Sequence, residues 1–319
     1  MPPVLDVQNL TTHYSTLRGW VRAAENITFQ VGSGEALGLA GESGCGKSTI
    51  ALSLLKILPP GGTIRKGHIL FDGRDIVPLS ESDMRKIRWK GMAIVFQGAM
   101  NAMNPVYKVG EQIVEAIRVH ESGVDRKTAL ERARSLLELV GVEPDRVDNY
   151  PHEFSGGMRQ RALIAMALAA NPKLLIADEP GTALDVIVQA QTLKLMRELK
   201  EKLGLSMIMI SHDLSIIAET CEKVAIMYAG RIVEYGTAEA IFNEPLHPYT
   251  QGLVKAFPSI KGERTKLTSI PGQPPDLLSP PPACRFNVRC PYVMDVCRKD
   301  DPQLKKAGSG DHLVACHLY

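Results

Sequence analysis

Nine consecutive residues, Gly41-Glu42-Ser43-Gly44-Cys45-Gly46-Lys47-Ser48-Thr49, constrain this chain more than any others. They read G-x-x-x-x-G-K-S. The glycines let backbone N–H groups turn inward around phosphate oxygens, and a following helix adds the positive end of its dipole. The apolar run Ala36 to Ala40 before the loop reads as a strand, and Ile50 to Leu58 after it as a helix. That strand–loop–helix context is what the pattern requires. It predicts that Lys47 reaches the β- and γ-phosphates and that the Ser48 hydroxyl ligates Mg²⁺.

The 319 residues suit one large or two modest domains with a substantial core. The charges nearly balance, 37 basic against 35 acidic, which argues against a nucleic-acid-binding polycation. The N-terminus lacks a basic segment leading into an apolar one, so no secretory signal is expected. The longest strongly apolar segment, Ala162 to Ala170, falls short of the ~20 residues that span a bilayer, and a membrane role therefore requires partner subunits. Six cysteines without a signal peptide point to reduced thiols in the cytosol.

Along the chain, Val4 to Leu10 and Ala24 to Val31 read as strands of an antiparallel sheet beside the nucleotide core, and Gly67 to Asp72 with its Gly73 turn as another strand pair. Tyr14, just past the first strand, is a candidate for stacking on an adenine ring, with Trp20 as its competitor. Met92 to Phe96 reads as a buried strand ending at Gln97. A helical block follows over about 98–170, with Asp125 as an N-cap and Gly141 as a C-terminal stop. Strands over Lys173 to Ala177, Ser206 to Ile210, Lys223 to Met227 and Arg231 to Glu234, with a helix over Val186 to Leu203, complete an α/β pattern. Alternating strands and helices imply a mostly parallel sheet covered on both faces. Six prolines between Ile270 and Pro282 read as a stiff linker.

Several residues at element ends carry matching chemistry. Asp178 closes an apolar strand, where Mg²⁺ is held beside a P-loop. Glu179 adjoins it, points the other way by strand alternation, and is a plausible general base for an attacking water. His212 follows the next strand, where a neutral imidazole would polarise the γ-phosphate and the water. Gln97, also at a strand end, is a candidate Mg²⁺ or water ligand. Ser155-Gly156-Gly157 opens a helix and makes a second phosphate site. One chain cannot easily bring both helix starts to one γ-phosphate, whereas two chains facing each other can.

Taken in order, these residues resemble an ATP-binding subunit of an ABC transporter over residues 1–258: GESGCGKST as Walker A, Gln97 as the Q-loop, FSGGMRQR as the signature, LLIADEP as Walker B, ALD as the D-loop and SHD as the switch histidine. The resemblance implies a P-loop ABC ATPase core with an antiparallel β subdomain and an inserted helical subdomain. It implies that Asp185 and Ser155 to Gly157 act across a dimer of ATPase chains, a second copy or a homologue, with Cys45 and Thr49 lining the phosphate loop. Phe154 stands where Leu is commoner, and Gly181 where Thr or Ser is usual, which bears on coupling between the two sites.

His247-Pro248-Tyr249-Thr250-Gln251-Gly252-Leu253 and the proline- and cysteine-bearing tail are similar to the oligopeptide/dipeptide importer ATPases. That group implies ATP-driven solute import, with two membrane permeases, an external solute-binding protein and a peripheral place on the cytoplasmic face of the membrane. Related systems carry oligosaccharides, nickel or other solutes. A soluble ABC ATPase of DNA repair or translation is the rival reading; one P-loop, no heptads and no basic arm speak against it. Residues 259–319 read as a C-terminal extension, in which Cys284, Cys290, Cys297 and Cys316 suggest a metal site. Four thiolates suit zinc or an iron–sulfur cluster, and neither the common zinc nor the ferredoxin spacing fits. The resemblance implies a [4Fe–4S] cluster. Cys221 reads as a helix-face core cysteine.

Overall fold

The computed structural model describes residues 2–96, 98, 102–181, 185–256, 270–307 and 310–319. In chain order the elements are β1 (Leu5–Thr16), β2 (Gly19–Val31), β3 (Ala36–Ala40), α1 (Lys47–Leu54), β4 (Gly62–Phe71) and β5 (Arg74–Asp75). Next come α2 (Glu81–Ile87), β6 (Met92–Val95), α3 (Val109–His120), α4 (Arg126–Leu139), α5 (Gly156–Ala167), β7 (Leu174–Asp178) and α6 (Val186–Leu203). The chain closes with β8 (Ser206–Ser211), α7 (Leu214–Thr220), β9 (Lys223–Tyr228), β10 (Arg231–Thr237), α8 (Ala238–Asn243), α9 (Pro248–Ala256), β11 (Lys305–Lys306) and β12 (Leu313–Val314). They form two compact units, one of Met1–Val77 with Met209–Tyr319, the other of Pro78–Ile208.

The first unit holds an antiparallel sheet in the order β2-β1-β4-β5 and a second run of strands in the order β11-β12-β10-β9-β3. β3 pairs with β9 in parallel, Leu37 opposite Lys223, and β9 pairs with β10 antiparallel. Every residue of β3 is buried, as a strand covered on both faces must be. Gly38 is needed there because a Cβ would run into Ile217 of α7, which lies against β3. The β1–β2 hairpin is longer than its apolar pattern predicts. Pairing continues past the buried Thr12 out to Thr16 and Gly19, carried by backbone hydrogen bonds, with half-buried His13 and Tyr14 and exposed Ser15 and Thr16. The tail adds its own strand: β12 pairs with β10, and Ala315 N–H donates to Val233 O (2.9 Å).

The second unit is mostly helical. α4 buries Ala129, Ala133 and Leu137, one residue per turn, each fully buried Leu contributing about 1.5–3 kcal/mol. Asp125 caps it by accepting from Thr128 N–H (2.9 Å), and Gly141 ends it at φ 73°. β6 and β7 pair in parallel, Ala93 opposite Leu175 and Val95 opposite Ala177. α6 matches its predicted span, starting at the Asp185 cap and stopping at the left-handed Gly204. Among the described residues no helix is long and apolar enough to cross a membrane.

Candidate nucleotide-binding site

In the first unit the segment Gly41–Thr49 forms a tight loop from β3 into α1. Gly41, Gly44 and Gly46 have φ of 150°, 78° and 106°, values that only glycine adopts without strain. At Gly41 and Gly46 a Cβ would also overlap backbone carbonyls, of Met227 and Ala23 respectively, whereas at Gly44 the space is open. The loop is therefore pinned at both ends and open at its crest. Lys47 is 6% exposed. Its Nζ donates to Gly41 O (2.7 Å) and Glu42 O (3.1 Å), which folds the ammonium back over the loop. Ser43 and Ser48 are exposed, and Thr49 is buried. This cradle of positive-φ glycines, a helix N-terminus and a buried ammonium fits a polyphosphate.

Glu42 is held from the C-terminal part of the chain. Its N–H donates to Tyr249 Oη (3.0 Å), and its carboxylate receives both amino groups of Arg289, at 2.8 and 3.0 Å. Arg289 also donates to Tyr228 Oη (3.3 Å) and to the carbonyls of Pro271 and Ile270. Burial works against its charge, yet the hydrogen bonds to Glu42 and Tyr228 leave its pKa raised. The rings of Tyr228, Tyr249 and Phe286 lie 4.7–5.5 Å apart beneath this contact. Burial holds Tyr249 well above the usual phenol range, so it stays a neutral hydroxyl. His247, also buried, is pushed down to about 3 and accepts from Tyr249 N–H through Nδ1 (3.0 Å). The fully buried Glu234 ties the same region together, accepting from Leu246 N–H, His247 N–H and His312 Nε2.

Half-buried Tyr14 lies in β1 and donates to Thr49 Oγ1 of α1 (3.3 Å), which ties it to the loop's helix. Trp20 is more exposed, and Arg65 covers its ring at 4.7 Å. Cys45 sits where a helix N-terminus would lower a thiol pKa; burial outweighs the Lys47 charge and raises it instead. His212, also in this unit, is exposed just after β8.

In the second unit Asp178 ends β7 and is buried, and Glu179 follows it with a left-handed φ of 47°. Holding a non-glycine residue there costs of order 1–2 kcal/mol, the kind of local strain that clusters at functional positions. Ser155 is exposed and caps α5 by accepting from Met158 N–H (3.2 Å). A hydroxyl that accepts one bond still has its own proton to donate. Asp185 likewise caps α6 through Val188 N–H (2.9 Å), beside exposed Val186 and Ile187. Val188 packs so close to Gly157 that a Cβ would meet it at 2.7 Å. At Gly181 the Gln189 side chain fills the place a Cβ would take. Phe154 is simply buried. A groove of about 550 Å³ is lined by Trp89, Asn104, Tyr107, Gln112, Val119 and Met166, with Tyr107 and Val119 exposed. Gln97, Ala183 and Leu184 lie outside the described residues.

The four-cysteine expectation is corrected. Among the described residues no group of three or more His, Cys, Asp or Glu side chains is placed to hold a metal ion. Cys284, Cys297 and Cys316 are buried and Cys290 is partly so, all as free thiols. Burial, reinforced by the neighbouring Cys297, Cys316 and Cys290, pushes Cys284 up to about 12. Burial raises Cys290 and Cys316 as well. Cys284, Cys297 and Cys316 are small core residues, and neither an iron–sulfur cluster nor zinc is supported.

Residues 24–182 match the ABC transporter family, and residues 233–297 match the C-terminal region of oligopeptide/dipeptide transporters. The chain is 48% identical over 319 residues to an oligopeptide transport ATP-binding protein of Bacillus subtilis, covering 99% of this chain and 88% of that one. It is 45% identical over 322 residues to a dipeptide transport ATP-binding protein of the same organism, covering 100% and 95%. Among solved structures it is similar to an ATP-binding cassette in a dimeric, post-hydrolysis state bound to ADP and Pi. That similarity has a TM-score of 0.66 at 25% identity, covering 73% of this chain and 98% of the other.

Proposed function

This chain belongs to the ATP-binding subunits of ABC oligopeptide and dipeptide transporters, and from that premise we propose how its residues bind ATP and drive peptide import. It is an ABC-type ATPase. Full-length relatives described as oligopeptide or dipeptide transport proteins favour peptides over oligosaccharides, nickel or a soluble repair or translation role.

The observation that carries the reading is the pinned glycine loop with Lys47 folded over it. Backbone N–H groups of Gly44 to Thr49 and the Lys47 ammonium bind the β- and γ-phosphates, and Tyr14 meets the adenine. Ser48, Asp178 and Gln97 would hold Mg²⁺, which would supply charge neutralisation on the phosphates. Glu179 accepts a proton from the attacking water. The new O–Pγ bond forms as the bridge to ADP breaks, and His212 orients the water and γ-phosphate. A second ATPase chain, a copy or a homologue, brings its own Ser155-Gly156-Gly157 and Asp185 to the nucleotide. The dimeric state of the similar cassette and the exposure of Ser155, Val186 and Ile187 support this. Closure of the pair acts on two membrane permeases, with the groove at Tyr107 and Val119 as the docking surface. An external solute-binding protein delivers the peptide, and the chain sits peripherally on the cytoplasmic face. No nucleic acid is involved.

The test is direct. Glu179→Gln is expected to keep ATP affinity and lose turnover, and Lys47→Ala to lose affinity. Wild-type turnover in Glu179→Gln removes it as the base; unchanged affinity in Lys47→Ala removes the phosphate assignment.

A further inference from the structure

We propose that the C-terminal extension is a clamp on the phosphate loop, with Arg289 as a positioning residue that acts through Glu42. The proposal rests on the assignment of Gly41–Thr49 to the ATP phosphates. Glu42 sits between the loop's first glycine and its crest, and it is held at three points. Its carbonyl accepts from Lys47 Nζ and from Cys45 N–H (3.2 Å), its N–H is taken by Tyr249, and its carboxylate by the fork of Arg289. Two of these three restraints come from more than 200 residues downstream in sequence. Arg289 is in turn fixed, its side chain only 5% exposed and its donors shared among Glu42, Tyr228 and the carbonyls of Ile270 and Pro271.

The geometry is one that lysine cannot reproduce. A planar fork meets both oxygens of one carboxylate and still reaches three further acceptors, so it fixes the direction of Glu42 as well as its charge. At the crest, Gly44 has open space where a Cβ would stand, and the next residue, Cys45, is tied back to the Glu42 carbonyl through its N–H (3.2 Å). Holding Glu42 therefore holds the backbone that turns its N–H groups toward phosphate. A loop released from the clamp spends only a fraction of its time in that shape, and the apparent ATP affinity falls by that fraction.

Purified full-length chain and its variants would be compared by equilibrium binding of Mg²⁺–ATP, by steady-state ATPase assay and by thermal unfolding. Arg289→Met is expected to weaken ATP binding about tenfold and Arg289→Lys about threefold, with kcat at saturating ATP within about twofold of wild type. In a double-mutant cycle, Glu42→Gln added to Arg289→Met costs little more than either change alone. Val314→Ala, which opens a cavity where β12 pairs with β10, lowers Tm and leaves ATP affinity unchanged. If Arg289→Met does not fold, Arg289→Lys carries the comparison. Wild-type affinity in the Arg289 variants, or additive effects in the cycle, overturns the clamp while Lys47→Ala still loses ATP. If Lys47→Ala also keeps its affinity, the phosphate assignment falls and the clamp falls with it.

Discussion

Replacing Gly46 by alanine tests the pinned-loop argument at its narrowest point. Gly46 stands at φ 106° as the N-cap of α1, and a Cβ there would lie well under 3.0 Å from the carbonyl oxygen of Ala23, a separation real Cβ atoms do not show. The positive φ alone costs alanine about 1–2 kcal/mol, and relieving the overlap moves the loop by on the order of 1 Å. The fold does not have to bear this, because the loop can relax into another shape when no nucleotide holds it. Binding must then restore the original shape, so a penalty of about 2–3 kcal/mol appears as roughly 30- to 150-fold weaker ATP affinity. Gly44→Ala is the internal comparison: φ is 78° but the space is open, so strain near 1 kcal/mol predicts a loss of about fivefold. Equilibrium titration with a fluorescent ATP analogue and Mg²⁺ reads both, with Tm as a check on the fold. Affinity within about threefold of wild type for Gly46→Ala, or equal losses at the two glycines, would refute the reasoning.

Two further outcomes follow from buried groups. His247 is neutral in the folded chain with its pKa near 3, while the unfolded chain takes up its proton at the ordinary value of 6.5. Its contribution is thus fully present above pH 6.5 and is lost progressively as pH falls from 6.5 toward 3. Urea midpoints at several pH values should drop over that window and drop less in His247→Gln; parallel profiles would remove His247 as the cause. Cys284, raised to about 12 and buried, should resist iodoacetamide at pH 8 in the folded chain and react only on unfolding. Rapid alkylation of Cys284 in the native protein would contradict its place in the core.

What could be seen in advance divides along a physical line. Glycine spacing, caps and apolar runs are local signals, and they located the phosphate loop, β7 with Asp178, and α6 between Asp185 and Gly204 with little error. The short helices α2, α7 and α8 have at most seven residues, too few turns to show a periodic stripe. A cap was nonetheless there to be found, since Ser80 accepts from Asp83 N–H at the start of α2. The tail misled because four cysteines near one another in sequence invite a metal, whereas among the described residues the folded chain does not group their side chains to hold one. Tyr249 stood out only as part of a family pattern. Arg289 carried no signal, since nothing local marks a guanidinium that pairs with a carboxylate 247 positions away.

The phosphate loop is made early in synthesis, but its unit is assembled from both ends of the chain. Residues Pro78–Ile208 form one continuous stretch that can fold as it leaves the ribosome. The unit bearing Gly41–Thr49 has to wait for α9, for Arg289 and finally for β12, whose strand is laid against β10. A nascent chain therefore carries its nucleotide loop unfastened until Arg289 has been made. One that is cut short before Arg289 keeps every motif of an ATPase and lacks the tail contacts that hold the motif in shape.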